Sequence, residues 1–256
     1  MKLQDKVAII TGGGRGLGRS VALAFGREGA KVVVAARTKE TIDHVAVELR
    51  SLKKSVLAMP VDISDENQVD LLVQKTLKTF GTIDILVNNA GTRGPIGPIC
   101  NVLLEEWEKT IKINLTATFL CSKAVLPVMM EKKKGKIINV ATTMSLRPNL
   151  TPYCVAKAGV VHFSKQLARE VKNFNIQVNA IHPGVMDTQM QAEIRQAGVE
   201  AIGTDLFERI KEEGILHSPD EPAQLVVFLA SKAADGITGD FLSFDDKEVK
   251  FLISQA

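Results

Sequence analysis

Cysteine, tyrosine and tryptophan are the scarce residues of this chain: three, one and one among 256. Three cysteines (Cys100, Cys121 and Cys154) are an odd number without metal-ligand spacing. They exclude a disulfide framework and imply a reducing compartment, the cytoplasm, with no metal site. No apolar run approaches the ~20 residues of a membrane span, and residues 1–6 lack the apolar segment of a secretory leader. A surplus of one charge is missing too. The 32 basic and 29 acidic residues leave +3, too little to mark a nucleic-acid surface. Repeats, low-complexity tracts and linkers are absent. With 45% apolar and 24% charged residues the chain is neither disordered nor fibrous. Its length suffices for one sizeable core, so a single domain over residues 1–256 is expected.

What is present is alternation. Short apolar runs at Val7–Ile10, Val32–Ala36, Ser55–Val61, Ile83–Val87, Ile137–Ala141 and Ile176–Ile181 are separated by helical patterns near 16–28, 39–53, 65–79, 103–131 and 153–173. Several runs are apolar almost throughout, as in parallel strands covered on both faces. The order predicts an α/β fold with a parallel, doubly wound sheet. Ser64 ahead of Asp65 and Glu66 predicts a hydroxyl cap, and Ser218-Pro219-Asp220-Glu221 a capping box. Lys132–Lys134 before Gly135 predicts a helix end with Gly135 as its left-handed cap. A mobile excursion is expected at 189–217.

After the first run comes Thr11-Gly12-Gly13-Gly14-Arg15-Gly16-Leu17-Gly18. Glycine lets a backbone turn tightly and approach a pyrophosphate, which the N–H groups of the following helix then receive. The G-x-G-x-x-G pattern is not met, because Leu17 stands where its third glycine would. The spacing present is G-x-x-x-G-x-G through Gly12, Gly16 and Gly18. The second run ends at Arg37 and Thr38 without the carboxylate that a ribose 2′-hydroxyl would need. Arg37 and Arg15 are available to a 2′-phosphate instead, so NADP(H) is preferred over NAD(H). Asp62, followed by Ile63 after the third run, is a candidate acceptor for the adenine amino group.

Tyr153, the only tyrosine, stands four residues before Lys157 in a helical pattern, which places both on one face. A neighbouring ammonium favours phenolate, so the pair predicts a lowered Tyr153 pKa and a general acid or base. The spacing alone is common.

Taken together, Thr11-Gly12-x-x-x-Gly16-x-Gly18, Asn88-Asn89-Ala90-Gly91, Tyr153-x-x-x-Lys157 and Asn179-Ala180-Ile181-His182-Pro183-Gly184 resemble the short-chain dehydrogenase/reductase family over about residues 5–239, closest to its 3-oxoacyl-carrier-protein reductase-like branch. The resemblance implies a Rossmann-type sheet of about seven strands in the order 3-2-1-4-5-6-7. It implies interconversion of a carbonyl and a secondary alcohol, with a small-molecule substrate, no nucleic-acid or membrane partner, and a homo-oligomer (tetramer or dimer). By the same resemblance Tyr153 exchanges the proton, and Lys157 holds the nicotinamide ribose and lowers the tyrosine's pKa. Asn114 orders a relay water. Gly12, Gly14, Arg15, Gly16, Leu17, Gly18, Asn89, Ala90 and Gly91 surround the cofactor, and Pro183, Gly184, Val185 and Thr188 bracket its nicotinamide. The family's serine is replaced: Thr142 falls at its position, with Thr143 and Ser145 as alternatives. The tail also departs, reading Asp245-Asp246 where relatives carry a double glycine. The excursion at 189–217 would be a substrate lid. The alternative is a non-catalytic NADP-binding regulator or scaffold of the same fold, which would not need Asn114, Tyr153 and Lys157 together.

Overall fold

The structure, a computed structural model, describes residues 1–142 and 148–256. Each of the first two strands, β1 (Val7–Thr11) and β2 (Lys31–Ala36), feeds opposite cores with alternate residues. Ala8, Ile10, Val32 and Val34 enter one core, and Ile9, Val33 and Ala35 the other. That two-sided burial is why these runs are apolar throughout rather than alternating. With β3 (Val56–Pro60), β4 (Ile85–Asn88), β5 (Gly135–Val140), β6 (Ile176–His182) and β7 (Phe241–Ser243) they form one sheet in the order β3-β2-β1-β4-β5-β6-β7. Every strand pair is parallel. This is the expected topology.

One face carries α1 (Gly16–Arg27), α2 (Lys39–Ser51) and α10 (Asp220–Ala230). The other carries α3 (Glu66–Phe80), α5 (Ala117–Glu131) and α6 (Thr151–Glu170). The chain winds outward through β3 and then returns to set β4 beside β1. The strand order therefore reverses at β1/β4, where a doubly wound sheet opens a crevice at its C-terminal edge.

Local readings needed correction. The cap of α3 is Asp65, whose carboxylate accepts from Asn67 N and Gln68 N; Ser64 bonds Asp62 instead. A carboxylate one residue later reaches the helix amides and also suits the dipole. After α5 the left-handed residue is Lys133 (φ 50°), not Gly135. Gly135 starts β5, and a Cβ there would lie 2.6 Å from Met129 Cγ, so close packing accounts for that glycine. The capping box before α10 forms by half: Glu221 Oε1 accepts from Ser218 N, while Ser218 Oγ takes Asp220 N. The pattern at 103–131 folds as α4 (Leu104–Ile111), a π turn (Lys112–Thr116) and α5. By length and composition Leu104–Glu131 is long and apolar enough to cross a membrane, although Lys112 and Lys123 interrupt it and no continuous apolar run of that length occurs. One face of α5 nevertheless buries Val125 and Met129 in the sheet core.

The excursion folds as three short helices, α7 (Gln189–Gln196), α8 (Gly198–Ile202) and α9 (Leu206–Glu212). The charged tail is also a helix, α11 (Lys247–Ser254).

Candidate active site

At the C-terminal edge of the sheet a cavity of about 740 Å³ runs from the glycine turn to Tyr153. β1 ends in the turn Gly12–Arg15, where Gly12 (φ 63°) and Gly16 (φ 51°) adopt left-handed backbone. A Cβ on Gly12 would lie 2.7 Å from Ala90 Cα, so the two loops touch backbone to backbone. Asn89 Nδ2 ties them by donating to Thr11 O and Gly12 O at 3.0 and 3.1 Å. A Cβ on Gly16 would come into ordinary contact with Thr188 at 3.4 Å, so its left-handed backbone rather than crowding is what calls for glycine there. No side chain caps the N-terminus of α1 at Arg15. Its unclaimed N–H groups and positive end fit a pyrophosphate. Gly12, Gly14, Arg15, Gly16 and Leu17 line the cavity. Gly18, expected there too, does not: a Cβ on it would strike Gly12 O, so it lets α1 pack against the turn.

Further along the edge, Arg37, Thr38, Asp62 and Ile63 line the same cavity. Arg37 makes no hydrogen bond or ion pair with a described residue, whereas Arg15 bonds the Gln189 side chain at the start of α7. Of the two arginines expected to face a 2′-phosphate, Arg37 alone is uncommitted. Burial works against the Asp62 carboxylate, but the Ser64 hydroxyl and N–H, with Arg37 and Lys112 nearby, outweigh it and hold its pKa below the usual value. Beneath these loops Asn88 Nδ2 donates to Asn139 Oδ1 at 2.8 Å, and Asn139 donates to Ser164 Oγ at 2.8 Å. This buried chain links β4, β5 and α6 and fixes the last strand residues in register.

At the other end stand Thr142, Tyr153 and Lys157, all lining the cavity. Thr142 is buried; Thr143 and Ser145 lie outside the described residues. α6 starts at Thr151 with Pro152 in its first turn, so Tyr153 and Lys157 share a helix face, the ammonium 6.0 Å from the ring centre. Lys157 Nζ donates to Val140 O at 2.7 Å, anchoring the helix to the end of β5. The expected lowering of the tyrosine pKa is not found. Burial, with a smaller contribution from Cys154, raises Tyr153 to about 12, and burial lowers Lys157 to about 8. The reason is desolvation: loss of water penalises both charged forms more than one ammonium at this range can restore.

Asn114 does not line the cavity. It sits in the π turn, and its amide donates to Thr92 O and Thr110 O at 2.9 Å while accepting from Thr92 N at 3.2 Å. One amide hydrogen therefore holds the loop after β4, the other is spent on Thr110 O of α4, and one Oδ1 lone pair is left for the expected water. A Cβ on Gly91 would fall 2.8 Å from that oxygen, which places Asn114 directly behind the Asn89–Gly91 wall.

Pro183, Gly184, Val185 and Thr188 close the cavity opposite α6. Gly184 (φ 76°) packs against His217, whose Nε2 lies 2.8 Å from Asp245 Oδ1. The tail's aspartate thus fastens the far end of the 189–217 segment. Arg19, Thr41, His182, Met190, Gln191 and Phe207 also line the cavity without having been singled out as site residues. Met190 and Phe207 were visible as apolar residues of the excursion. Gln191 carried no signal, because a glutamine in an amphipathic helix reads as solvent-facing.

A family model described as short chain dehydrogenase matches residues 6–198. The chain is 34% identical over 248 residues to a 3-oxoacyl-(acyl-carrier-protein) reductase of Thermotoga maritima, covering 96% of this chain and 98% of that protein. It is 37% identical over 243 residues to a hydroxy(phenyl)methylsuccinyl-CoA dehydrogenase subunit of Thauera aromatica, covering 94% and 96%. Among solved structures, a tryptophan variant of actinorhodin polyketide ketoreductase with NADPH superposes with a TM-score of 0.87 at 33% identity, covering 95% of this chain and 97% of that one.

Proposed function

The chain belongs to the short-chain dehydrogenase family, and from that premise we propose that it reduces the ketone of a 3-oxoacyl thioester, or oxidises the matching secondary alcohol, with NADP(H). The observation that carries this reading is one continuous cavity joining the glycine turn, the uncapped end of α1 and Tyr153. The relatives named for 3-oxoacyl and acyl-CoA chemistry, and the ketoreductase solved with NADPH, support it.

NADPH, when bound, supplies hydride to the carbonyl carbon. The turn Gly12–Leu17 and the end of α1 hold its pyrophosphate, Arg37 its 2′-phosphate, and Pro183–Val185 with Thr188 the nicotinamide side. Tyr153 is protonated at neutral pH, as an ordinary phenol is, and burial raises its pKa further. It is therefore in the acid form that a carbonyl oxygen requires as it gains negative charge. Lys157, tied to Val140 O, retains donors for the ribose hydroxyls. Thr142 hydrogen-bonds the carbonyl in place of the family's serine. Asn114 braces the Asn89–Gly91 loop. Helices α7 to α9 act as a lid that excludes water.

The test is NADPH absorbance against ketones, diketones and 3-oxoacyl thioesters, each repeated with NADH. Oxidation with a 3-oxoacyl thioester and preference for NADPH are expected. Silence across the panel would favour a binding protein without turnover.

A further inference from the structure

The loop that closes the cavity opposite α6 is held from behind by two residues that do not themselves line it, His217 and Asp245. Its backbone is stitched to the far end of the 189–217 segment: His217 N donates to Val185 O at 2.9 Å, and Asp187 N donates to His217 O at 3.0 Å. Helices α7 to α9 therefore leave the sheet edge and rejoin it at one point. The His217 ring rests on that point. A Cβ on Gly184 would lie 2.7 Å from its Cδ2 and 3.0 Å from Asp245 Oδ1, so ring and carboxylate press on the loop's left-handed glycine. An ionised Asp245 can only accept, so the 2.8 Å contact makes His217 Nε2 the donor. The second carboxylate oxygen lies 3.7 Å from Nε2 of His182, the last residue of β6. One side chain of the tail thus reaches both flanks of the loop. Phe244 meets the His217 ring edge-on at 5.1 Å, and Glu221 Oε2 stands 3.6 Å from its Nδ1. Glycine at position 245 would offer His217 no acceptor.

We propose that His217 and Asp245 are positioning residues that hold the 183–188 loop in the shape that receives the nicotinamide. The inference rests on the reading of Pro183–Val185 and Thr188 as the nicotinamide side of an NADP(H) site, and it names what fixes that side. Beyond His182 the chain has left the ladder of β6, so the loop's shape depends on contacts from outside the sheet. Without the Asp245–His217 bond the loop would spend only part of its time in the receiving shape, and apparent affinity falls by that fraction. The loss would be confined to ligands that carry a nicotinamide. Arg37 and Asp62, on the adenosine side, follow β2 and β3 in the other half of the sheet.

The test measures dissociation constants by calorimetry for NADPH and for adenosine 2′,5′-bisphosphate, which carries the adenosine half of the cofactor and no nicotinamide. Asp245→Ala should weaken NADPH roughly three- to tenfold, the worth of one half-exposed hydrogen bond, and leave the bisphosphate within about twofold of wild type. Asp245→Asn keeps an acceptor for His217 and should bind NADPH within about twofold of wild type. In a His217→Ala background, Asp245→Ala should add no further loss. An unchanged NADPH Kd in Asp245→Ala would overturn the proposal. Equal weakening of both ligands would assign the pair a general structural role and overturn it too. So would an Asn variant as weak as the Ala variant, or a further loss in the double variant. A wild-type protein that fails to bind NADPH would overturn the NADP(H) reading and this inference with it. A wild type that binds it, with any of the preceding outcomes, would overturn the inference alone.

Discussion

Tyr153 and Lys157 lie one turn apart on α6, and burial pulls their proton affinities in opposite directions. Lys157 titrates near 8 in the folded chain against 10.5 when unfolded, so between those values the unfolded state binds the extra proton and stability rises with pH. Lys157→Met abolishes that rise. Between pH 8 and about 10 the wild type should gain about 2 kcal/mol relative to the variant, read from urea midpoints. Tyr153 has the opposite sign, losing stability as pH climbs from 10 toward 12, which is why the comparison stops near 10. Arg37 is the second residue with a sharp consequence. Arg37→Asp should lower the NADPH-to-NADH ratio of kcat/KM by roughly ten- to a hundredfold, the worth of a charge-assisted bond to phosphate. An unchanged ratio would remove Arg37 from the cofactor site. At this scale the residue types and their meeting place were legible in the sequence, whereas their protonation was not. Spacing reveals which charges are neighbours, but the pKa depends on how much water each has lost, and that is set by β5, α7 and α9 closing over the pair.

At the level of elements, the strands could be read because each is apolar on both faces. Helices α1 to α3 could be read because their apolar stripes are local, although the cap of α3 proved to be Asp65 rather than Ser64. Glycine roles were harder, since one residue type serves two needs. Gly12 supplies a left-handed turn, while Gly135 supplies room for Met129. Gly135→Ala should therefore destabilise by about 1–3 kcal/mol through overpacking. Lys133→Gly, at the actual left-handed position, should stabilise by about 0.5–1 kcal/mol. Thermal or urea melts of the two variants distinguish the assignments, and the reverse ranking would restore Gly135 as the cap. The π turn around Asn114 left no mark in the periodicity: one extra residue displaces a stripe by about 100°, but α5 is apolar around most of its circumference and shows no clear stripe. α7 to α9 were expected only as a mobile excursion. Their helices are short, and tertiary contacts more than propensity hold them: Arg15 to Gln189, Arg93 to Glu193, and His217 to Asp245.

For the whole molecule, the parallel order converts distant motifs into one site. Thr11, Ala36, Asn88, Val140 and His182 each end a strand or stand beside its end, and the crevice forms where β1 and β4 part the two halves of the sheet. Helix dipole, uncapped amides and desolvated acid are thereby aligned along a single cavity, which is what hydride transfer with a coupled proton requires. The central claim is that Tyr153 delivers that proton. Single-turnover oxidation of bound NADPH by a 3-oxoacyl thioester, followed in wild type and in Tyr153→Phe, tests it most directly. The variant should bind NADPH as wild type does and react about 10²- to 10⁴-fold more slowly; a variant that reacts within about twofold of wild type would contradict the account.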